Sequence, residues 1–417
     1  MTSVLKDVRA GLGFGLTAAA TRVLSWIGDP IAQLDTHRPG IDDPFAIMRS
    51  IRERGRLLRS PTGVWVTASH DVCRSVFRSQ HASSRSDGAM GEHPLDDSFI
   101  GMDAPDHTRL RRLVSLAFTS RAINSHRERI AKLAGELLDA CPVDRPIDLV
   151  ADFAGPLPMA VICDLLGLPS SERARFSRWG EVLVAALDRV RSLHLARQLQ
   201  LANAELRAYL AAVVAERRRR PAADLVSTLV QAADQGDRLT DPEIVSTLTL
   251  LLIAGFETTV NLIGTGTHNL LRFPDQLARV TADLDAHVGN LVEESLRFEG
   301  AVMFTFRTAI ESIDVGGGAV IPRGALIVLG LAGANRDPAL FVDPDRFDVT
   351  RDNAKEHLAF AVGPHYCLGA TLARLEAEIA WRTLLGRFPQ LRLAGAASYR
   401  PSPIIRGLAT LPVVLGG

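Results

Sequence analysis

The sequence predicts a mainly α-helical fold with a small β portion. Apolar residues recur at helical spacing among charges through the middle of the chain. Thr240-Asp241-Pro242-Glu243 has the form of a capping box and opens a helical pattern of about thirty residues. Strand-like runs are few and short, and are set between Pro and Gly.

Taken in order, residues 1–35 read as an N-terminal arm and residues 36–417 as a single domain. The uncharged stretch Ala10 to Thr21 is shorter than the roughly 20 apolar residues a spanning helix needs. Its glycines make a poor apolar core for an export leader. A surface-packed or loose amphipathic arm is the expectation, with weak membrane-surface contact and export as its alternatives. Val64 to Thr67 reads as a strand. Residues 120–140 and 192–220 read as helices, the second ending in Arg217 to Arg220 before Pro221, a solvated helix end whose charge complements the dipole. The capping box opens the longest helix, which runs to about Arg272. Phe304 to Ala309, Ala325 to Leu331 and Leu408 to Leu415 supply the remaining strand candidates. No repeat or composition shift marks a further boundary.

Lys and Arg number 47 and so do Asp and Glu, which leaves no global field to favour nucleic acid or an anionic membrane. The cysteines are Cys73, Cys141, Cys163 and Cys367. None stands in a C-x-x-C pair, so neither structural zinc nor a disulfide framework is indicated, and a reducing, cytoplasmic compartment fits. The first three sit in apolar or helical contexts suited to inert thiols.

Cys367 is different. In Phe360-Ala361-Val362-Gly363-Pro364-His365-Tyr366-Cys367-Leu368-Gly369 the glycines and proline let the backbone turn tightly against a flat ligand. The pattern then becomes helical, so Cys367 lies at a helix N-terminus, where free N–H groups favour a thiolate. Such a cysteine suits an axial iron ligand; an ordinary structural cysteine is the alternative.

The long helix carries Ala254-Gly255-Phe256-Glu257-Thr258-Thr259 inside an apolar run. A mid-helix glycine costs about 1 kcal/mol against alanine, and a buried acid needs a partner. Either Glu257 finds an arginine and the threonines bond back to the preceding turn, or Gly255 opens a groove where Thr258 meets a small ligand. Glu294 and Arg297, at i, i+3 among apolar neighbours, read as a buried pair that Arg346 could close into a network. His107 and Arg111 share one face after Pro105; with Arg307 and His365 they could hold two carboxylates.

With these segments in view, the chain resembles the soluble bacterial branch of the cytochrome P-450 superfamily from about Asp43 onward. The cysteine loop resembles F-x-x-G-x-x-x-C-x-G, and Ala254 to Thr258 resembles A-G-x-[DE]-T. Glu294 and Arg297 match E-x-x-R, and the stretch ending at Arg346-Phe347 is similar to the adjoining P-x-x-F element. The resemblance implies haem b between the long helix and the cysteine-loop helix, with Cys367 as iron ligand. Thr258 and Glu257 would handle protons and water at dioxygen. His107, Arg111, Arg307 and His365 would hold the propionates, and Ala254, Gly255, Phe360 and Gly369 would pack the ring. Glu294, Arg297 and Arg346 would form the network beneath it. Ala361 departs from the family's usual glycine, which is expected to shift the loop slightly.

The expected reaction is insertion of one oxygen atom into a lipophilic molecule. Electrons would come from NAD(P)H through a ferredoxin or similar donor with its reductase, and the enzyme would be a monomer. Arg109, Arg112 and Arg374 are candidate contacts for that donor. Leu251, Ala254, Val302, Met303, Phe304, Ile404 and Ile405 are the expected pocket lining, and Gly91 to Met102 part of a lid. A peroxide-driven peroxygenase and a non-catalytic haem or ligand-binding protein are the rival readings; Glu257 and Thr258 argue against the first, Thr258 against the second.

Overall fold

The computed structural model describes residues 21–26, 28–38, 42–85, 98–184, 192–234 and 239–416. Its axis is the helix Asp241–Arg272, 32 residues long and closed at its start by the capping box of Thr240 and Glu243. At 1.5 Å per residue it spans roughly 48 Å. Packed around it are the helices Pro156–Leu165, Arg173–Val184, Leu193–Arg219, Leu284–Glu299 and Ala370–Arg387. This helix is apolar and long enough to cross a membrane, but 78% of its apolar window is buried inside the protein, which makes it a core helix.

It approaches the helix Ala370–Arg387 tightly at Gly266, where a Cβ would lie 2.3 Å from the Trp381 ring. Trp381, buried there, donates from Nε1 to Thr267 Oγ1 at 3.0 Å. An alanine at this position would push the two helices apart.

The β portion is as small as the sequence suggests. Five strands form a mixed sheet in the order Leu58–Arg59, Trp65–Thr67, Leu326–Leu329, Thr305–Ala309, Ala82–Ser83. Trp65–Thr67 and Leu326–Leu329 run parallel and the other pairings are antiparallel. The expected C-terminal strand is interrupted: Leu408–Thr410 pairs with Ser398–Tyr399, and Pro412–Val414 with Ile147–Asp148 and Arg392–Leu393. The helix expected over residues 120–140 is two, Ser120–Asn124 and Arg127–Asp139.

At the N-terminal side, Pro30–Thr36 is a helix whose Ala32 and Leu34 are buried, Leu34 in a cluster with Met48 and Val66. The boundary expected at residue 35 therefore falls inside a packed element. Ala10 to Ala20 and residues 91–97 of the expected lid lie outside the described residues.

Candidate active site

The cysteine loop turns through two left-handed residues, Ala361 with φ 55° and Gly363 with φ 79°. For an L-residue this conformation costs about 1–2 kcal/mol, which is the physical reason a glycine suits position 361. The loop closes through Cys367 N donating to Phe360 O at 2.9 Å and Tyr366 N donating to Gly363 O at 3.1 Å. Ala370–Arg387 begins three residues beyond the cysteine, capped at Gly369. Burial pushes the Cys367 thiol up, while the amides of Gly369 and Ala370 and the charges of Arg111 and Arg374 favour the thiolate. Arg111 also donates to Tyr366 O, fastening the loop to the helix Asp106–Ser115. The guanidinium of Arg374 lies 4.7 Å from the centroid of the Phe360 ring.

Between Ile244 and Leu270 every position of the central helix is buried except Ala254, Gly255, Thr258 and His268. Exposure returning at three clustered positions deep in the fold marks an internal groove. Thr258 Oγ1 donates to Ala254 O at 2.7 Å and Thr259 Oγ1 to Gly255 O at 3.1 Å. Glu257 has turned away from solvent and pairs through Oε1 with Arg400. The two threonines and Glu257 Oε1 thus find local partners, while Ala254, Gly255 and Thr258 keep part of their surface.

His107, Arg111, Arg307 and His365 come together from three segments. The rings of His107 and His365 stack at 4.0 Å between centroids. Burial lowers Arg307 to about 10, with only Asp103 opposing. Burial, then His107 and Arg307, holds His365 down at about 3. His107 Nε2 is buried with no hydrogen-bond partner among the described residues. Such a concentration of donors short of acceptors is what a doubly anionic ligand would relieve.

Beneath the loop, Glu294 and Arg297 are fully buried and joined in a bidentate pair at 2.7 and 2.8 Å. Arg297 places its remaining donors on Asn335 O, Pro344 O and Arg346 O. Here the structure corrects the sequence reading. Arg346 joins the network only by its carbonyl, its side chain being 60% exposed. The guanidinium that reaches Glu294, at 3.2 Å, is that of Arg351. The cause is a turn: Arg346 N bonds to Asp343 O, and Asp343 itself has φ 45°.

A second network was not legible in the sequence. Arg374 donates to Glu293 from Nε at 2.6 Å. His357 Nδ1 accepts from Ala359 N, so its Nε2 carries the hydrogen and donates to Glu293 at 3.2 Å. Arg374 is therefore engaged within the chain, as is Arg109 on Glu243; of the three expected donor contacts these two already hold carboxylates.

Burial would raise Glu293, but the bonds from His357 and Arg374 outweigh it and hold the carboxyl at about 2. A carboxyl depressed by folding stabilises above its unfolded value near 4.5 and loses that contribution as pH falls towards 2. Wild type should exceed Glu293→Gln in urea midpoint near pH 7, and the gap should narrow by about pH 3. A gap independent of pH would show that ionisation of Glu293 adds nothing.

The expected pocket residues divide. Val302 bridges to Ile405, and Met303 N donates to Ile404 O at 2.9 Å, so the two distant segments do meet. Ala254, Val302 and Ile404 keep part of their surface, whereas Leu251 and Ile405 are buried in the main core. Met303 and Phe304 fill the cluster around Leu34 and Met48.

A helical body over a small mixed sheet, with a cysteine at a helix start and a groove in the long helix, defines the class. Residues 177–393 match the cytochrome P-450 family model. The chain belongs to that family and is a monooxygenase. It is 41% identical to PikC, a cytochrome P-450 monooxygenase of Streptomyces venezuelae, over 89% of this chain and 91% of that one. It is 39% identical to the vitamin D(3) 25-hydroxylase of Pseudonocardia autotrophica, over 87% and 90%. The structure of the P-450 monooxygenase TamI with tirandamycin C superposes with a TM-score of 0.80 at 38% identity, covering 90% of this chain and 98% of that one.

The family implies haem, and the residues here fit it. The partnerless His107 Nε2 and the cationic cradle suit its propionates, and the amide-held sulfur of Cys367 suits its iron.

Proposed function

We propose that the chain inserts one atom of dioxygen into a lipophilic small molecule, drawing electrons from NAD(P)H through a ferredoxin-type donor and its reductase. The observation that carries this reading is the partial exposure of Ala254, Gly255 and Thr258 in a helix whose other positions from Ile244 to Leu270, His268 excepted, are buried. Haem b, held by Cys367 beneath and by His107, Arg111, Arg307 and His365 at its edge, would supply the oxygen-activating redox chemistry.

The chain's own residues do the rest. Gly255 and Ala254 leave room for a diatomic ligand beside the helix. Thr258 Oγ1, its hydrogen turned to Ala254 O, presents lone pairs to the groove and accepts from a water or acid there. Rotation of that hydroxyl off Ala254 O lets it hand a proton on, and Glu257, the preceding residue, is the acid that replaces it. Ala254, Val302 and Ile404 line the substrate side with no charge, in keeping with relatives named for vitamin D(3) and bound to tirandamycin C. The enzyme works as a cytoplasmic monomer of a single domain.

Thr258→Ala should keep haem and bind any apolar compound that shifts the wild-type Soret band, yet form product from less than about a tenth of the NAD(P)H it consumes. Product formation from every equivalent consumed would remove Thr258 from proton delivery.

A further inference from the structure

Behind the substrate side lies a further buried ion pair that oxygen activation does not use. Helix Leu284–Glu299 ends on Glu299, just before Val302, and Arg406 lies just past Ile404. Arg406 Nε donates to Glu299 Oε1 at 2.7 Å, and the two side chains are 11% and 3% exposed. Tyr399 OH donates to the same oxygen at 3.0 Å, and Asn269 Nδ2 donates to Glu299 Oε2 at 3.0 Å. The Arg406 guanidinium lies 4.0 Å from the centroid of the Tyr399 ring and 5.5 Å from that of Phe45. Burial would raise the Glu299 carboxyl, but Arg406 and Asn269 outweigh it and hold the group below its usual range, as a carboxylate.

The pair joins the two segments that carry Val302 and Ile404. Met303 N donates to Ile404 O at 2.9 Å and Arg406 N to Ala301 O at 2.8 Å, on either side of the antiparallel bridge between Val302 and Ile405. So short a ladder does not hold its own register, and a slip of one residue turns every side chain of the moved segment to the opposite side. Glu299 and Arg406 oppose that slip because each is anchored outside the ladder. Asn269 ties Glu299 to the central helix, and Tyr399 and Phe45 flank Arg406. As a source of stability the pair is poor. Arg406 Nη1 and Asn269 Oδ1 are buried without a hydrogen-bond partner among the described residues. Apolar residues in place of such a pair are often neutral or stabilising, whereas removing one partner alone is costly.

We propose that Glu299, Arg406, Tyr399 and Asn269 form a clamp that sets the register of residues 301–303 on 404–406, and with it the shape of the pocket wall at Val302 and Ile404. Glu299 and Arg406 are thereby positioning residues for the choice among bulky lipophilic ligands. This rests on the pocket lining given above.

The test uses haem-loaded protein and two probes read by the shift of the Soret band. Imidazole is too small to reach the wall, and its trityl-type derivative clotrimazole is large enough to fill the space against it. Glu299→Leu combined with Arg406→Leu removes both charges at once. That variant should keep haem and its affinity for imidazole, and lose affinity for clotrimazole by about tenfold, as mispacking in an apolar pocket does. Glu299→Gln keeps an acceptor for Arg406 and Tyr399, and the Asn269 amide can turn over to present its partnerless oxygen, so the wild-type ratio of the two affinities should return. Tyr399→Phe removes one hydrogen bond from the clamp and keeps the ring; it should move the ratio in the same direction as the double variant, and it decides the matter if the double variant does not fold. An unchanged ratio in the folded variants, or an equal fall for both probes, would overturn the clamp, since a merely structural pair would alter the melting temperature and leave the ratio alone. Val302→Trp narrows the wall directly and should weaken clotrimazole. No effect there would instead overturn the pocket lining, and a wild type whose spectrum lacks thiolate-bound haem would overturn the monooxygenase reading.

Discussion

Arg297→Ala is expected to destabilise the protein by about 3–5 kcal/mol, enough to consume much of a domain's usual 5–15 kcal/mol. The reason is what remains behind. Glu294 is fully buried, and losing its bidentate partner leaves a carboxylate with only Asp348 N and Arg351 to hold it. Three carbonyls, of Asn335, Pro344 and Arg346, lose their donor at the same time. Because the penalty comes from the orphaned charge, Glu294→Leu in the Arg297→Met background should recover part of it. Urea denaturation of the three variants measures this. A loss below about 1 kcal/mol for Arg297→Ala would place the pair among ordinary surface bridges.

Gly363→Ala should cost about 2–5 kcal/mol and most of the haem occupancy. Gly363 has φ 79°, and a Cβ there would lie 2.5 Å from Phe77 O, a backbone atom that cannot swing aside. The loop would have to lift, carrying Tyr366 N off Gly363 O and moving the sulfur of Cys367. Ala361→Gly relieves strain in the same loop without a clash and should be neutral or stabilising. Absorbance ratio of the Soret band to protein and the melting temperature report both. Full haem content in Gly363→Ala would show that the loop does not set the iron ligand's position.

The helical fold and the tight turn before Cys367 were legible because their signals are local. The capping box is complete within residues 240–243, and the glycine turn lies within a few residues of the cysteine, so spacing alone fixes the geometry of each. The buried Glu294–Arg297 pair was equally legible, from apolar neighbours at helical spacing. What the sequence hid depends on distant segments meeting. Arg346 was expected to reach Glu294, but the turn at Asp343 sends its side chain to solvent and brings Arg351 in. Arg400, just past the short strand Ser398–Tyr399, carries no pattern that points to Glu257, 143 positions away. The engagement of Arg109 and Arg374 was hidden for the same reason: a surface cation and one half of an ion pair look alike until the acid is located.

The central claim is that Cys367 holds haem iron as a thiolate. Its most direct test is the absorption spectrum of the reduced protein under carbon monoxide, wild type beside Cys367→Ser. A strongly red-shifted Soret band in the wild type alone is the expected result. Haem without that shift in the wild type, or the same shift in both proteins, would contradict it.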